Sequence, residues 1–206
     1  MSKRKQRGGK PTTKKKGALD RLTGDEAATV LRLFLERHPE LRKEIDSLAA
    51  SVIGDVSIND VADAVENELR ALDLDDLNSR AGSTAYGYVE PSEAAWELVE
   101  EAVTPFLDDI KRRVESGQYD AALFTSVGIV LGLYRLRDNN KDDFLGWAPD
   151  SPDEMAEEAV VTLRKALRAA KTTQGARQPS PALPAVFRDT APEWADMLER
   201  CWNRPS

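Results

Sequence analysis

The 206-residue chain is predicted to be all-α. Three observations carry this prediction. Apolar residues recur every three or four positions over most of the chain, most of these segments begin at capping signals and end at glycine or proline, and no segment shows the two-residue alternation of a strand. Short breaks between the segments predict antiparallel helical hairpins. We expect them to pack as a short solenoid or an irregular bundle of about seven helices.

The first two predicted helices form a hairpin. Thr23-Gly24-Asp25-Glu26 is typical of a capping box at a helix start, and His38-Pro39 ends that helix because proline disfavours α geometry in the residue before it. The second helix ends near Gly54. Their apolar faces contain Ala27, Val30, Leu31, Phe34 and Leu35 in the first helix and Leu41, Ile45, Leu48, Ala49, Val52 and Ile53 in the second.

The third and fourth helices are separated by a stretch that lacks helical periodicity. The third opens at Ser57 and reaches Leu72, after which residues 78–83 are predicted to form a loop. Pro91 is typical of a first helical position and starts the fourth helix. Pro105 within it predicts a kink, and Ser116-Gly117 predicts its end.

The fifth helix, from about Gln118 to Arg137, is apolar on nearly all sides, so it is predicted to be the central and most buried one. Gly128 and Gly132 within it predict the close approach of another helix. The expected core between the fourth and fifth helices contains Trp96, Phe106, Phe124, Leu131 and Tyr134.

The sixth helix is predicted to begin with a capping box at Ser151-Pro152-Asp153-Glu154. A last helix starts at Thr190 and carries an apolar face that includes Leu198, Cys201 and Trp202. The predicted organisation is therefore a disordered basic arm (1–22), a helical domain (23–171), a Pro-containing linker (172–189) and a C-terminal helix (190–206) that packs on the body.

The charge is unevenly distributed. The chain has 29 basic and 36 acidic residues, a formal net charge of −7. Residues 1–17 contain eight basic residues and no acid, which leaves 21 basic and 36 acidic residues in the rest. Such an arm is predicted to be disordered, because it has no apolar residue that could dock into a core. Its candidate polyanion-binding residues are Lys3, Arg4, Lys5, Arg7, Lys10, Lys14, Lys15 and Lys16.

Two segments resemble known helical families. Gly117-Gln118-Tyr119-Asp120-Ala121-Ala122-Leu123 resembles the start of a tetratricopeptide-type helix. The wider stretch from Gly87-Tyr88-Val89 through Trp96 to Arg137 resembles the helical region found beside SWIM zinc fingers in bacterial proteins of unknown function. The resemblance covers residues 24–170 and implies a helical scaffold used for interaction. The Cys and His residues of the finger itself are absent, so no finger function is implied.

The residues needed for most catalytic and metal chemistries are missing. One Cys and one His exclude a disulfide framework within the chain and the common all-protein zinc sites. His38 lies in an interhelix turn and Cys201 on an apolar helix face, so both are predicted to be structural. We expect no catalytic residue, cofactor or metal.

Two acidic clusters are weaker metal candidates. Residues 138–143 are spaced like the start of a calcium loop, but Asp143 stands where the loop needs Gly and Pro149 where it needs Glu. Glu97, Glu100 and Glu101 are the kind of carboxylate cluster that holds magnesium in all-α nucleotide pyrophosphohydrolases. The interior of the predicted fifth helix offers no acid to complete such a site.

These observations favour a non-catalytic helical scaffold or interaction module that has a basic arm and binds a protein partner. The first alternative is a nucleic-acid-associated protein whose arm makes non-specific phosphate contacts. The second is a carboxylate–metal phosphohydrolase. The longest uncharged run, Ala121 to Tyr134, is 14 residues, shorter than the roughly 20 that cross a membrane. With no secretory signal and one thiol, the predicted compartment is the cytoplasm.

Overall fold

A computed structural model of the chain describes residues 17–84, 87–138, 144–174 and 182–204. The chain divides into two compact units, Met1–Leu48 and Ala49–Ser206. The boundary falls inside the region predicted as a single helical domain. The eight basic residues of the predicted arm lie outside the described residues.

The first unit contains helix α1 (Gly24–Arg37) and the start of α2 (Arg42–Gly54), with 3-10 turns at Leu19–Arg21 and Pro39–Leu41. The capping box is confirmed, because the Thr23 amide donates to the Glu26 carboxylate (2.9 Å) and the Glu26 amide donates to the Thr23 hydroxyl (3.3 Å). The turn at Leu19–Arg21 falls inside the segment predicted as the basic arm, and none of its residues is buried.

The apolar faces of this first unit are not buried. No residue of α1 or α2 is buried in the described part of the chain, although both helices carry apolar stripes. Leu31 is 45% exposed and Leu48 is 60% exposed. The hairpin expected here therefore does not form a core of its own.

The second unit holds the core. Its remaining elements follow the end of α2 and are α3 (Ile58–Ala71), α4 (Leu74–Arg80), β1 (Gly82–Thr84), β2 (Gly87–Val89), α5 (Pro91–Glu115), α6 (Tyr119–Arg135), α7 (Ser151–Gln174), α8 (Ala185–Thr190) and α9 (Ala195–Asn203), with 3-10 turns at Phe144–Trp147 and Pro192–Trp194. Helix α6 packs against α3, α5, α7 and α8, and most of its residues are buried. Its predicted central position is confirmed.

Helix α3 crosses α6 at the two glycines. A β-carbon placed on Gly128 would lie 2.8 Å from the Ile58 carbonyl oxygen, and one on Gly132 would lie 2.7 Å from the Ala62 carbonyl oxygen. Ordinary carbon contacts lie near 3.5–4.0 Å, so no larger residue fits without moving the helices apart. The expected close approach at these glycines is confirmed.

Helix α5 ends where the sequence predicts. Gly117 has a positive φ of 74°, a conformation that glycine adopts easily. The Gly117 amide donates to the Val114 carbonyl (3.0 Å) and the Gln118 amide donates to the Arg113 carbonyl (2.9 Å). This pair of bonds is a Schellman motif, which ends α5 and turns the chain into α6. Helix α5 continues through Pro105.

The segment between α3 and α5 is more ordered than predicted. Asp73 accepts from the amides of Asp75 (2.8 Å) and Asp76 (2.9 Å), so it caps a separate helix, α4. Residues 78–80 belong to that helix, and 82–84 and 87–89 pair as an antiparallel hairpin with Ser83 opposite Tyr88. The loop prediction and the expected absence of strands were wrong here, because short strands are too brief to show alternation.

The C-terminal region also departs from the prediction. Ser151 is the first residue of α7, and its hydroxyl donates to the Ala148 carbonyl (2.7 Å), so it does not form the expected capping box. Helix α7 continues to Gln174, and α8 occupies 185–190 with Phe187 fully buried, so the predicted linker contains helix at both ends. The described residues therefore contain nine α-helices instead of seven.

The predicted aromatic core is partly correct. Trp96, Phe106 and Tyr134 are half-buried and pack against the core, whereas Phe124 is 38% exposed. Phe124 lies on the one stripe of α6 that faces solvent, together with Asp120 and Arg135. An all-round apolar helix gives no periodicity by which to recognise that stripe, which explains the error.

Candidate interaction groove

The sequence candidates for catalysis are held by structural partners. In the first unit, His38 is exposed, its Nδ1 lies 3.2 Å from the Glu40 carboxylate, and its ring contacts Phe34 at a centroid distance of 4.8 Å. In the second unit, Cys201 is buried on α9, and burial together with Glu157 raises the pKa of its thiol to about 11. A thiol with that pKa is protonated at neutral pH and is a poor nucleophile.

The acidic cluster of α5 is divided between two faces. The Arg80 guanidinium donates two hydrogen bonds to Glu101 (2.8 and 2.9 Å) and lies 3.7 Å from Glu97. The hydrogen bonds from Arg80 lower the pKa of Glu101, so this carboxylate stays charged and tied to α4. Across the described residues, no group of three or more His, Cys, Asp or Glu side chains could hold a metal ion. Residues 139–143 of the calcium-like segment lie outside the description.

The second unit has an open groove between α5 and α7 of about 770 Å³, called the α5–α7 groove below. Its α5 wall consists of Glu100, Thr104, Leu107, Asp108, Lys111, Val114 and Glu115. Its α7 wall consists of Met155, Glu158, Thr162, Lys165, Ala166, Ala169 and Ala170. On each helix these residues recur every three or four positions, so each wall is one helical stripe.

The two stripes have matching lengths. The α5 wall runs from Glu100 to Glu115 and the α7 wall from Met155 to Ala170. At 1.5 Å per residue each stripe is roughly 22 Å long, the length of a helix of about four turns. At one end of the α7 wall the lining residues are small, namely Ala166, Ala169 and Ala170, so the backbone of a bound segment can approach α7 closely. The groove is therefore long enough to lie along a helix of about four turns.

The floor and the rim of the groove differ in chemistry. Leu107, Val114 and Met155 are buried core residues that form its apolar floor. The charged lining residues are Glu100, Asp108, Glu115, Glu158, Lys111 and Lys165. Four acids against two bases give an acidic rim, and the Lys111 ammonium is already paired with Asp108 at 2.8 Å.

A second recess of about 720 Å³ continues the groove toward the start of α7. It shares Glu100, Met155, Glu158 and Lys165 with the groove and adds three further acids, Asp153, Glu154 and Glu157. Burial and the nearby Asp150 and Glu157 raise the pKa of Asp153. Acidic residues therefore continue from the rim along the first turns of α7, where Arg164 and Arg204 also line the recess.

Arg164 closes the floor of this recess and fixes the C-terminal helix. It is 3% exposed, and its Nη1 donates to the carbonyls of Cys201 (2.7 Å), Trp202 (3.2 Å) and Arg204 (2.5 Å). These carbonyls belong to the end of α9, where a helix leaves its last acceptors unpaired. Burial lowers the pKa of Arg164, and its Nε has no partner in the described structure. We assign Arg164 the role of joining α9 to α7.

The sequence indicated only part of the α7 wall. The predicted core face of this helix included Met155 and Ala166, but Thr162, Ala169 and Ala170 were not singled out. They form a second, small-residue stripe beside the core stripe. A run of Ala and Thr at helical spacing next to the apolar face marks a small-residue stripe in the sequence, but it does not tell which helix lies beside that stripe.

The chain matches no protein-family model, no curated protein and no solved structure. Within the described residues, no helix has the length and apolar character needed to cross a membrane. The groove itself is therefore the basis for assigning a function.

Proposed function

We propose that this protein is a non-catalytic helical interaction module and that the α5–α7 groove binds a helical segment of a protein partner. One observation carries the proposal: two helices present parallel stripes of matching length around an open apolar floor. Amphipathic helices bind such grooves through apolar residues at positions i, i+3 or i+4, and i+7.

The chemistry of the groove specifies the partner further. Its floor of Leu107, Val114 and Met155 favours an apolar face, and its acidic rim favours basic residues on the flanks of that face. We therefore propose an amphipathic helix of about four turns with Lys or Arg beside its apolar stripe.

Two further observations support an interaction module over an enzyme. Cys201 is a buried thiol with a raised pKa, and Glu101 is tied to Arg80, so both residues have structural roles. We propose the cytoplasm as the compartment, since a chain with a single thiol is typical of a reducing environment.

The test is a selection of helical peptides against the intact protein. A displayed library of amphipathic helices, with randomised apolar and flanking positions, is selected on the wild type and then measured by fluorescence anisotropy. We expect enriched peptides with apolar residues at helical spacing and basic flanks. Thr104→Arg places a bulky charge on the exposed rim of the groove and should abolish their binding.

Asn78→Arg is the matched control, because it adds the same side chain to an exposed position of α4 outside the groove. It should leave peptide binding unchanged. Glu115→Lys should weaken binding of basic peptides selectively, because it reverses one charge of the rim. Equal binding by wild type and Thr104→Arg, or no enrichment of amphipathic helices, would contradict the proposal.

A second candidate function rests on the arm. Residues 1–17 carry eight basic residues and no acid, which suits non-specific contacts with nucleic acid phosphates. Fluorescence anisotropy with labelled RNA and DNA would compare the full chain with one that begins at Ala18. We expect the full chain alone to bind, with an affinity that falls steeply as salt rises. Equal binding by both chains would remove the arm from this role.

A further inference from the structure

Helix α1 presents an apolar stripe that its own unit leaves partly exposed. The stripe consists of Ala27, Val30, Leu31 and Phe34, and no residue of α1 is buried. Val30, Leu31 and Phe34 are 41–45% exposed. A 14-residue helix is only marginally stable in water when nothing packs against its apolar face, so this stripe requires a partner.

We infer that α1 pairs in antiparallel orientation with α1 of a second copy of the chain. The charges beside the stripe carry this inference. At 100° per residue, Glu26 and Arg37 lie on the same flank of the stripe and about three turns apart, one at each end of the helix.

An antiparallel pair about a two-fold axis brings like flanks together with their ends reversed. Glu26 therefore faces Arg37 of the second copy, and the symmetry repeats the pair at the other end. Hydrogen bonds from the Thr23 amide (2.9 Å) and hydroxyl (3.1 Å) already fix Glu26 Oε2 at the start of α1. In a parallel pair, by contrast, the two acidic ends lie at the same level, and Glu26 is about three turns away from Arg37 of the second copy.

The apolar stripe is also complementary to itself. When Val30 and Leu31 meet their counterparts at the two-fold axis, Ala27 lies opposite Phe34 of the second copy. A small residue opposite a large one lets the two faces interdigitate. The contact is one helix long, roughly 21 Å, and therefore smaller than a standard interface, so we expect a dimer that dissociates on dilution.

Sedimentation velocity of the full chain over a range of concentrations tests the inference. The wild type should change from monomer to dimer as concentration rises. Leu31→Glu places a charge in the centre of the stripe and should leave only monomer. Leu74→Glu is the matched control, because Leu74 is 50% exposed on α4 in the other unit, and it should dimerise as the wild type does.

Charge variants test the orientation. Arg37→Glu replaces two attractive pairs with two repulsive ones and should raise the dimer dissociation constant roughly tenfold. The double variant Glu26→Lys with Arg37→Glu restores opposite charges and should recover most of the affinity. All four Trp residues lie in the second unit, so unchanged tryptophan fluorescence would show that its fold is intact in each variant.

A wild type that stays monomeric at every concentration would overturn the inference. So would a dimer that Leu31→Glu does not dissociate, because another surface would then form it. A dimer unaffected by Arg37→Glu would contradict the antiparallel arrangement. Thr104→Arg should dimerise normally, so a failure of this inference is distinguishable from a failure of the groove as a binding site.

Discussion

Replacing Gly128 with Ala adds a single carbon at the crossing of α3 and α6. That carbon would lie 2.6 Å from the Val61 β-carbon and 2.8 Å from the Ile58 carbonyl oxygen. The first distance is about 1 Å shorter than an ordinary carbon contact. The second is also too short for a real contact, and it involves backbone that cannot rotate away. The two helices must therefore separate, and the packing around Gly128 must loosen.

The expected cost follows from two opposing effects. Overpacking a core typically costs about 1–3 kcal/mol. Ala stabilises the interior of a helix by about 1 kcal/mol relative to Gly, which offsets part of that cost. Because the contact involves the Ile58 backbone oxygen, we take the upper part of the overpacking range, about 2–3 kcal/mol. Subtracting about 1 kcal/mol for Ala, we expect Gly128→Ala to lower the free energy of unfolding by about 1–2 kcal/mol, and Gly128→Leu to lower it further.

Urea unfolding followed by tryptophan fluorescence measures this change, since all four Trp residues lie in the second unit. Gly54→Ala is the control, because the nearest atom to its new carbon is the tip of the Gln118 side chain, which can move. It should change stability by less than about 0.5 kcal/mol. A Gly128→Ala variant as stable as the wild type, or more stable, would refute the close crossing of α3 and α6.

Three other predictions use the same unfolding measurement. Phe187→Ala should lower the free energy of unfolding by about 3–5 kcal/mol, because Phe187 is fully buried. Phe124→Ala should lower it by less than about 2 kcal/mol, because Phe124 is partly exposed. Equal losses in the two variants would contradict this difference in burial. Arg164→Met should lower the free energy of unfolding by about 2–4 kcal/mol, because three carbonyls at the end of α9 lose their hydrogen-bond donor. A loss under about 1 kcal/mol would mean that the packing of α9 does not depend on Arg164. Burial raises the pKa of Asp109, but hydrogen bonds from Arg112 and Arg113 outweigh burial, so the pKa is lowered overall. The charged carboxylate therefore stabilises the fold at neutral pH, and this stabilisation is lost as the pH falls through the lowered pKa. Asp109→Asn should therefore be less stable than the wild type at neutral pH and equal to it in acid; a difference that persists in acid would have another cause.

The sequence was sufficient to predict the features that depend on local rules. The capping box at Thr23, the helix end at Ser116-Gly117 and the close approach at Gly128 each require a particular residue type at a particular position, and the structure confirms all three. The central position of α6 also followed from its composition, because a helix that is apolar on nearly all sides is stable in water only when its neighbours cover it.

Other features depend on tertiary contacts that no local pattern reveals. Phe124 was placed in the core because α6 gives no periodicity, and only the positions of α3, α5 and α7 leave that stripe open. Ser151 has the right neighbours for a cap, yet its hydroxyl bonds to Ala148 in the preceding turn. The candidate groove was missed for the same reason. Thr162 and Ala170 can be recognised as groove residues only once the fold has placed α5 beside α7.

The most direct test of the α5–α7 groove is methyl NMR of the methionines. The chain has three, of which Met155 lies in the groove wall, Met197 lies on α9 away from it, and Met1 is outside the described residues. A selected amphipathic helix with basic flanks is titrated into protein labelled at its methionine methyl groups. Our proposal predicts that the Met155 signal shifts in proportion to binding while the Met197 signal stays in place. Binding that leaves Met155 unchanged, or that shifts Met197 alone, would show that the partner binds elsewhere and would contradict the proposed function.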